Sequence, residues 1–234
     1  MGFYGRGRKG GRGVKEEGNL GGVTPSLRHK LESLATQAGA ENDGHGNRVA
    51  AMIPTIMAAA GLVDRDVWPI VIGARLHDIG KRMVPPDILF AQRSLQHYER
   101  EIIANHPEDG LAIVKKALGH VPQVIGTCIN DHHEHWDGSG YPGNLRGEAI
   151  PLPARLVAIA DVIDALASPR AYKAGLSAAV IRNVLVRGRG KLFDPVLLDA
   201  VLENYDAILA ARASVAPPPR TSASVVGGQP GSTP

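Results

Sequence analysis

Ala74-Arg75-Leu76-His77-Asp78-Ile79-Gly80-Lys81 places an imidazole, a carboxylate and an ammonium at the end of an apolar segment. Taking such groups out of water is costly unless each is paired or bound to a metal. A solvated helix end would explain one His-Asp pair. It does not explain the repetition of the pattern. His106 stands just before Pro107, and His132-His133-Glu134 closes another apolar stretch. Asp161 lies inside Leu156-Val157-Ala158-Ile159-Ala160-Asp161-Val162-Ile163-Asp164-Ala165-Leu166, where an unpartnered carboxylate would be driven to protonate. His77, Asp78, His106, His132, His133 and Asp161 together supply imidazole and carboxylate without thiolate, with Asp78 able to bridge neighbouring ions. That donor set suits two divalent first-row ions, Fe or Mn, better than a tetrahedral zinc site.

Helices must carry these residues. Apolar spacing predicts helices over residues 25–38, 47–60 (with Pro54 kinking the helix or delaying its start), 66–79, 94–105 and 107–118. A further helix at 122–134 places Val124, Cys128 and His132 on one face. Pro153 opens a strongly apolar helix to about Ala167, and two more follow at 177–187 and, behind Asp194 and Pro195, at 195–212. Residues 84–87 and 137–151 read as loops. No alternation of period two appears, so the fold class is all-α.

Composition sets the remaining bounds. With 234 residues and 44% hydrophobic content, the chain can bury one substantial core. Residues 1–23 form a Gly/Arg-rich tail and 214–234 a Pro/Ser/Gly-rich tail, both expected to be disordered, leaving 24–213 as the folded domain. Arg-Gly tracts grip phosphate without sequence preference, yet one short tract with a net charge of +3 points away from nucleic-acid binding. The single cysteine, Cys128, fits a reducing compartment. Neither a membrane span nor a signal-peptide core is visible, so the expected location is cytoplasmic.

His77-Asp78-Ile79-Gly80-Lys81, His106-Pro107, His132-His133-Glu134 and Trp136-Asp137-Gly138-Ser139-Gly140-Tyr141-Pro142 follow in the order of the HD-GYP family's motifs. The resemblance runs from about residue 40 to 205. It takes in Ile150-Pro151-Leu152, the Asp161–Asp164 helix, and Arg170, Tyr172 and Lys173. It implies an HD-domain helical bundle with additional C-terminal helices that hydrolyses cyclic di-GMP, a bacterial second messenger, to pGpG or GMP. It casts His77, Asp78, His106, His132, His133 and Asp161 as metal ligands, with Asp78 bridging. Lys81 would meet the scissile phosphate or a metal-bound water, Arg170 and Lys173 would hold the substrate's phosphates, and Tyr141 would line the guanine side. Docking of diguanylate cyclase (GGDEF) proteins through the Gly-Tyr-Pro loop is a further implication, and a homodimer is compatible with it. Phe90-Ala91-Gln92-Arg93-Ser94 departs from the family's usual Lys-Pro-Gly-like turn, and Leu192 stands where a histidine is frequent. These departures bear on loop shape and substrate access.

Elementary chemistry leads to the same reaction. A phosphodiester repels hydroxide, so a catalyst must neutralise it while supplying a nucleophile; paired ions do both. A hydroxide bridging the metals opposite Asp78 would attack in line. Lys81 would steady the developing charge or protonate the leaving oxygen. A third ion is expected from Glu41 and His45, whose four-residue separation would share one helix face, as in some family members. The interior glycines of that stretch oppose the helix. Two alternatives stand beside the phosphodiesterase: an HD-type phosphohydrolase for another nucleotide, and a non-catalytic binding module.

Overall fold

The computed structural model describes residues 23–41, 43–169 and 175–215. Among them the architecture is wholly helical, with an isolated Arg189–Phe193 bridge and no strand. The helices are α1 (Pro25–Glu41), α2 (His45–Ala59), α3 (Trp68–Leu76), α4 (Pro86–Leu89), α5 (His97–Ala104), α6 (His106–Leu118), α7 (Gln123–Asn130), α8 (Leu152–Ala167), α9 (Ala178–Gly188), α10 (Pro195–Glu203) and α11 (Tyr205–Ala213). Short 3-10 turns occupy Ile79–Met83 and Gly147–Ala149.

Two apolar clusters meet at α3, which packs against α1, α2 and α7. Ile72 and Leu76 join Leu31, Ile125 and Ile129 on one side, while Ile70 and Ala74 join α2, α8 and the C-terminal helices on the other. α8 is buried over most of its circumference, from Ala154 through Asp164. Its carboxylates therefore face protein rather than solvent. Apolar burial on both sides thus fixes the helix ends that carry the His and Asp residues.

Several expected boundaries move, each for a local reason. α3 begins at Trp68, whose N–H donates to Asp66 Oδ1 at 3.0 Å, so Asp66 lies outside the helix. It ends at Leu76, and the chain tightens into the 3-10 turn instead of running to Gly80. Gly80 is required there, because a Cβ would overlap the His106 carbonyl and the Gly110 N–H. α2 starts at His45 and continues without a break past Pro54, which is exposed. α7 stops at Asn130, so His132 and His133 lie beyond the helix. The single helix expected at 195–212 is two, broken at Asn204, and the 84–87 loop leads into α4. Both tails lie mostly outside the described residues, as do Arg170 and Lys173. No described helix is long and apolar enough to cross a membrane.

Candidate metal centre

The chain ends of α3, α6 and α7 converge on α8. His77 and Asp78 follow α3, His106 opens α6, His132 and His133 follow α7, and Asp161 comes from the middle of α8. His45, the first residue of α2, joins them. Two ligand groups result: Asp78, His106, His132 and His133 in one, and His45, His77 and Asp161 in the other. Within each group, one potential ligand atom per residue lies within 4.8 Å of the rest.

Asp78 connects the groups. Its Oδ1 faces His106 Nε2 at 3.3 Å and His132 Nε2 at 3.9 Å. Its Oδ2 faces His77 Nε2 at 3.4 Å and His45 Nε2 at 3.6 Å. One oxygen directed at each group is the geometry of a bridging carboxylate. Asp161 Oδ1 lies 3.0 Å from His45 Nε2 and 3.8 Å from His77 Nε2.

The imidazoles are oriented as ligands. The Nδ1–H groups of His77, His106 and His132 donate to the carbonyls of Ala74, Ile103 and Ile129 at 2.7, 2.7 and 2.9 Å. Each such bond fixes the tautomer and leaves the Nε2 lone pair pointing inward. His77 Nε2 and Asp78 Oδ1 are buried with no hydrogen-bond partner. Such orphaned atoms suit a cation. The electrostatics agree: burial disfavours a charged His77, but Asp78 and Asp161 outweigh it and lift the imidazole to about 10. In the other group, burial and then neighbouring His106 push His133 down to about 4, so it is neutral and able to ligate. Burial opposes ionisation of Asp78, yet His77 and Lys81 hold it well below the carboxylate range. Divalent ions would satisfy the same carboxylates without requiring protons on the imidazoles.

Around the ligands stand two carboxylates to which the sequence reading gave no role, Asp164 and Glu134. Asp164, fully enclosed, accepts from His45 Nδ1 at 2.7 Å, Arg48 Nε at 2.8 Å and Arg212 Nε at 2.7 Å. It therefore orients a candidate ligand while tying α2 and α11 to α8. Its position three residues after Asp161, on the same helix face, was the available signal. Buried Glu134 accepts from the N–H groups of Gly143 at 2.5 Å and Leu145 at 2.9 Å, pinning the Gly-Tyr-Pro loop. Gly140 lets that loop close on the His133 backbone, which a Cβ there would strike. Tyr141 consequently stacks on His133, ring centroids 4.8 Å apart, and Trp136 receives the Arg155 guanidinium over its ring.

Lys81 Nζ lies 2.6 Å from Asp78 Oδ2, at the mouth of the centre. Glu41 does not join either ligand group. α1 ends at Glu41, Gly44 is left-handed, and α2 starts at His45, so the two do not share a helix face as the spacing suggests. Glu41 Oε2 instead pairs with Arg82 Nε at 2.5 Å.

A profile of the HD domain matches residues 30–197. The chain belongs to the HD domain family. Among its relatives, the 3'3'-cGAMP-specific phosphodiesterase 2 of Vibrio cholerae is 35% identical over 193 residues, covering 82% of this chain and 37% of the relative. The cyclic di-GMP phosphodiesterase response regulator RpfG of Xanthomonas campestris is 39% identical over 157 residues, 67% of this chain and 42% of that protein. The HD chain thus spans less than half the length of these two relatives. An HDG"Y"P protein from Bdellovibrio bacteriovorus shares the fold at a TM-score of 0.57 and 23% identity, over 70% of this chain and 52% of the other. The order of its motifs resembles that of the HD-GYP members of the family.

Proposed function

We propose that this HD-GYP domain is a metal-dependent phosphodiesterase acting on a cyclic dinucleotide, cyclic di-GMP foremost, and releasing pGpG or GMP. The observation that carries the reading is Asp78, with one oxygen toward each of two ligand groups. Relatives named for cyclic di-GMP and cGAMP hydrolysis support the substrate class.

When bound, two ions, Fe or Mn in this reading, neutralise phosphoryl oxygens and bring the pKa of water toward about 7. The chain's own residues do the rest. His77, His106 and His132 present fixed lone pairs, because their other nitrogens are held by backbone carbonyls. Lys81, partly exposed beside Asp78, can hold a positive charge or a proton at the leaving oxygen. Tyr141, stacked on His133, offers its far side to a base. Arg170 and Lys173 belong to the proposal as phosphate anchors on the resemblance alone, as do docking of diguanylate cyclases and self-association.

A binding-only module is less favoured, since a scaffold has no need of a complete ligand set. The test is turnover by anaerobically purified, metal-replete protein against cyclic di-GMP, 3'3'-cGAMP and non-cyclic nucleotides, with products identified. Accumulation of pGpG or GMP is expected. Hydrolysis restricted to non-cyclic nucleotides would overturn the reading.

A further inference from the structure

A cavity of about 620 Å³ opens beside the centre, with Asp78 and Lys81 on its wall. The volume is in the range of small-molecule sites. Its other walls divide by chemistry. Phe90, at the end of α4, lines one side and is 74% exposed, although a large aromatic ring is ordinarily covered. Glu41 and Arg82 line another, joined at 2.5 Å. The metal centre uses none of these three residues.

We infer that this cavity is the subsite for one nucleobase of the substrate, that Phe90 is its stacking face, and that the Glu41–Arg82 pair selects guanine over adenine. The inference rests on the cyclic-dinucleotide reading above. Lys81 and Asp78 place the reacting phosphate at the inner end, so a base attached to that nucleotide extends into the adjoining space. An exposed ring at the edge of an opening lined by both charged residues (Glu41, Lys81, Arg82) and apolar ones (Val84, Leu89) gives a purine a surface to stack on. Guanine presents O6 beside N1–H and the N2 amino group: an acceptor next to two donors. A guanidinium held against a carboxylate is a donor next to an acceptor, matching O6 to Arg82 and N1–H with N2 to Glu41. Adenine has an amino group in place of O6, an acceptor at N1 and nothing at C2, so neither contact is reproduced in that orientation. Phe90 lies where this chain departs from the family's usual turn. That makes the subsite a property of this sequence and not of the metal motif.

The experiment pairs binding with turnover. Affinities of GMP and AMP are measured by calorimetry on metal-replete wild type, Phe90→Ala, Arg82→Gln and Glu41→Gln. The same proteins are then assayed on cyclic di-GMP and 3'3'-cGAMP, with metal content determined for each. Phe90→Ala is expected to weaken GMP at least about 5-fold and to raise KM for cyclic di-GMP by a similar factor, with kcat little changed. Arg82→Gln and Glu41→Gln are expected to narrow the preference for GMP over AMP by about 10-fold at unchanged metal content. GMP affinity and KM unaffected by all three changes would overturn the subsite, even with an active enzyme. A wild type that hydrolyses no cyclic dinucleotide, yet binds GMP through Phe90, would remove the proposed activity and leave the subsite standing. Loss of one metal ion in Glu41→Gln would return Glu41 to the metal centre and overturn its part in base selection.

Discussion

Asp78 and Lys81 lie three residues apart and 2.6 Å from each other, yet the proposed chemistry gives them different work. Asp78 faces both ligand groups, so Asp78→Asn should lose metal and turnover together. Lys81 belongs to neither group. Lys81→Met should therefore keep its metal while kcat falls roughly 10²–10³-fold. Metal analysis beside steady-state kinetics separates the two, and metal loss in the lysine variant would contradict the assignment. Asp164 acts through His45, whose Nδ1 it holds at 2.7 Å. Asp164→Asn should weaken metal affinity by roughly 10–100-fold, measured by competition with a chelator, while the ligand set stays intact. His77, Asp78, His106, His132 and His133 stand out in the sequence because polar groups at the ends of apolar segments need partners, and Asp161 because it sits inside one. The Asp164–His45 bond was not legible, because it joins residues 119 positions apart. Glu41 misleads at this scale: a four-residue spacing has meaning only within one helix, and the left-handed Gly44 divides two.

Helix ends, more than helix middles, position the chemistry. The helices were legible from their apolar spacing; their ends were not, since they depend on contacts distant in sequence. At Gly80 the segment after α3 runs so close to the start of α6 that a Cβ would overlap the His106 carbonyl. Gly80→Ala should cost roughly 1–3 kcal/mol or more through forced separation, read by denaturant unfolding. Unchanged stability would show that the contact can relax. At α5, Glu99 is enclosed, accepting from Nη1 and Nη2 of Arg93 at 2.6 Å each and from Gln96 N–H at 2.8 Å. Hydrogen bonding from Arg93, then from Gln96, lowers its carboxyl from 4.5 to about 2. A carboxyl lowered in the folded state stabilises above its unfolded pKa, and that contribution fades as pH falls toward the folded value. The Tm difference between wild type and Glu99→Gln should thus be widest near neutrality and close as pH drops from about 4.5 toward 2. A gap independent of pH would contradict the ion pair's role.

The whole molecule is a helical frame built around a polar centre. Asp164 joins α2, α8 and α11, so the C-terminal helix is tied to a candidate metal ligand. Ions held between helices bind the folded chain and not the unfolded one, and metal removal should lower Tm by about 5 °C or more at saturating concentrations. In the proposed function Asp78 bridges two ions and both are needed to cleave a cyclic dinucleotide. This is tested most directly by stripping the protein anaerobically with a chelator and adding back Fe(II) or Mn(II) in measured equivalents while following cyclic di-GMP loss. Hydrolysis should stay near background through the first equivalent per chain and rise steeply to a plateau near about two. Full activity at one equivalent, or two bound ions with cyclic di-GMP untouched, would contradict it.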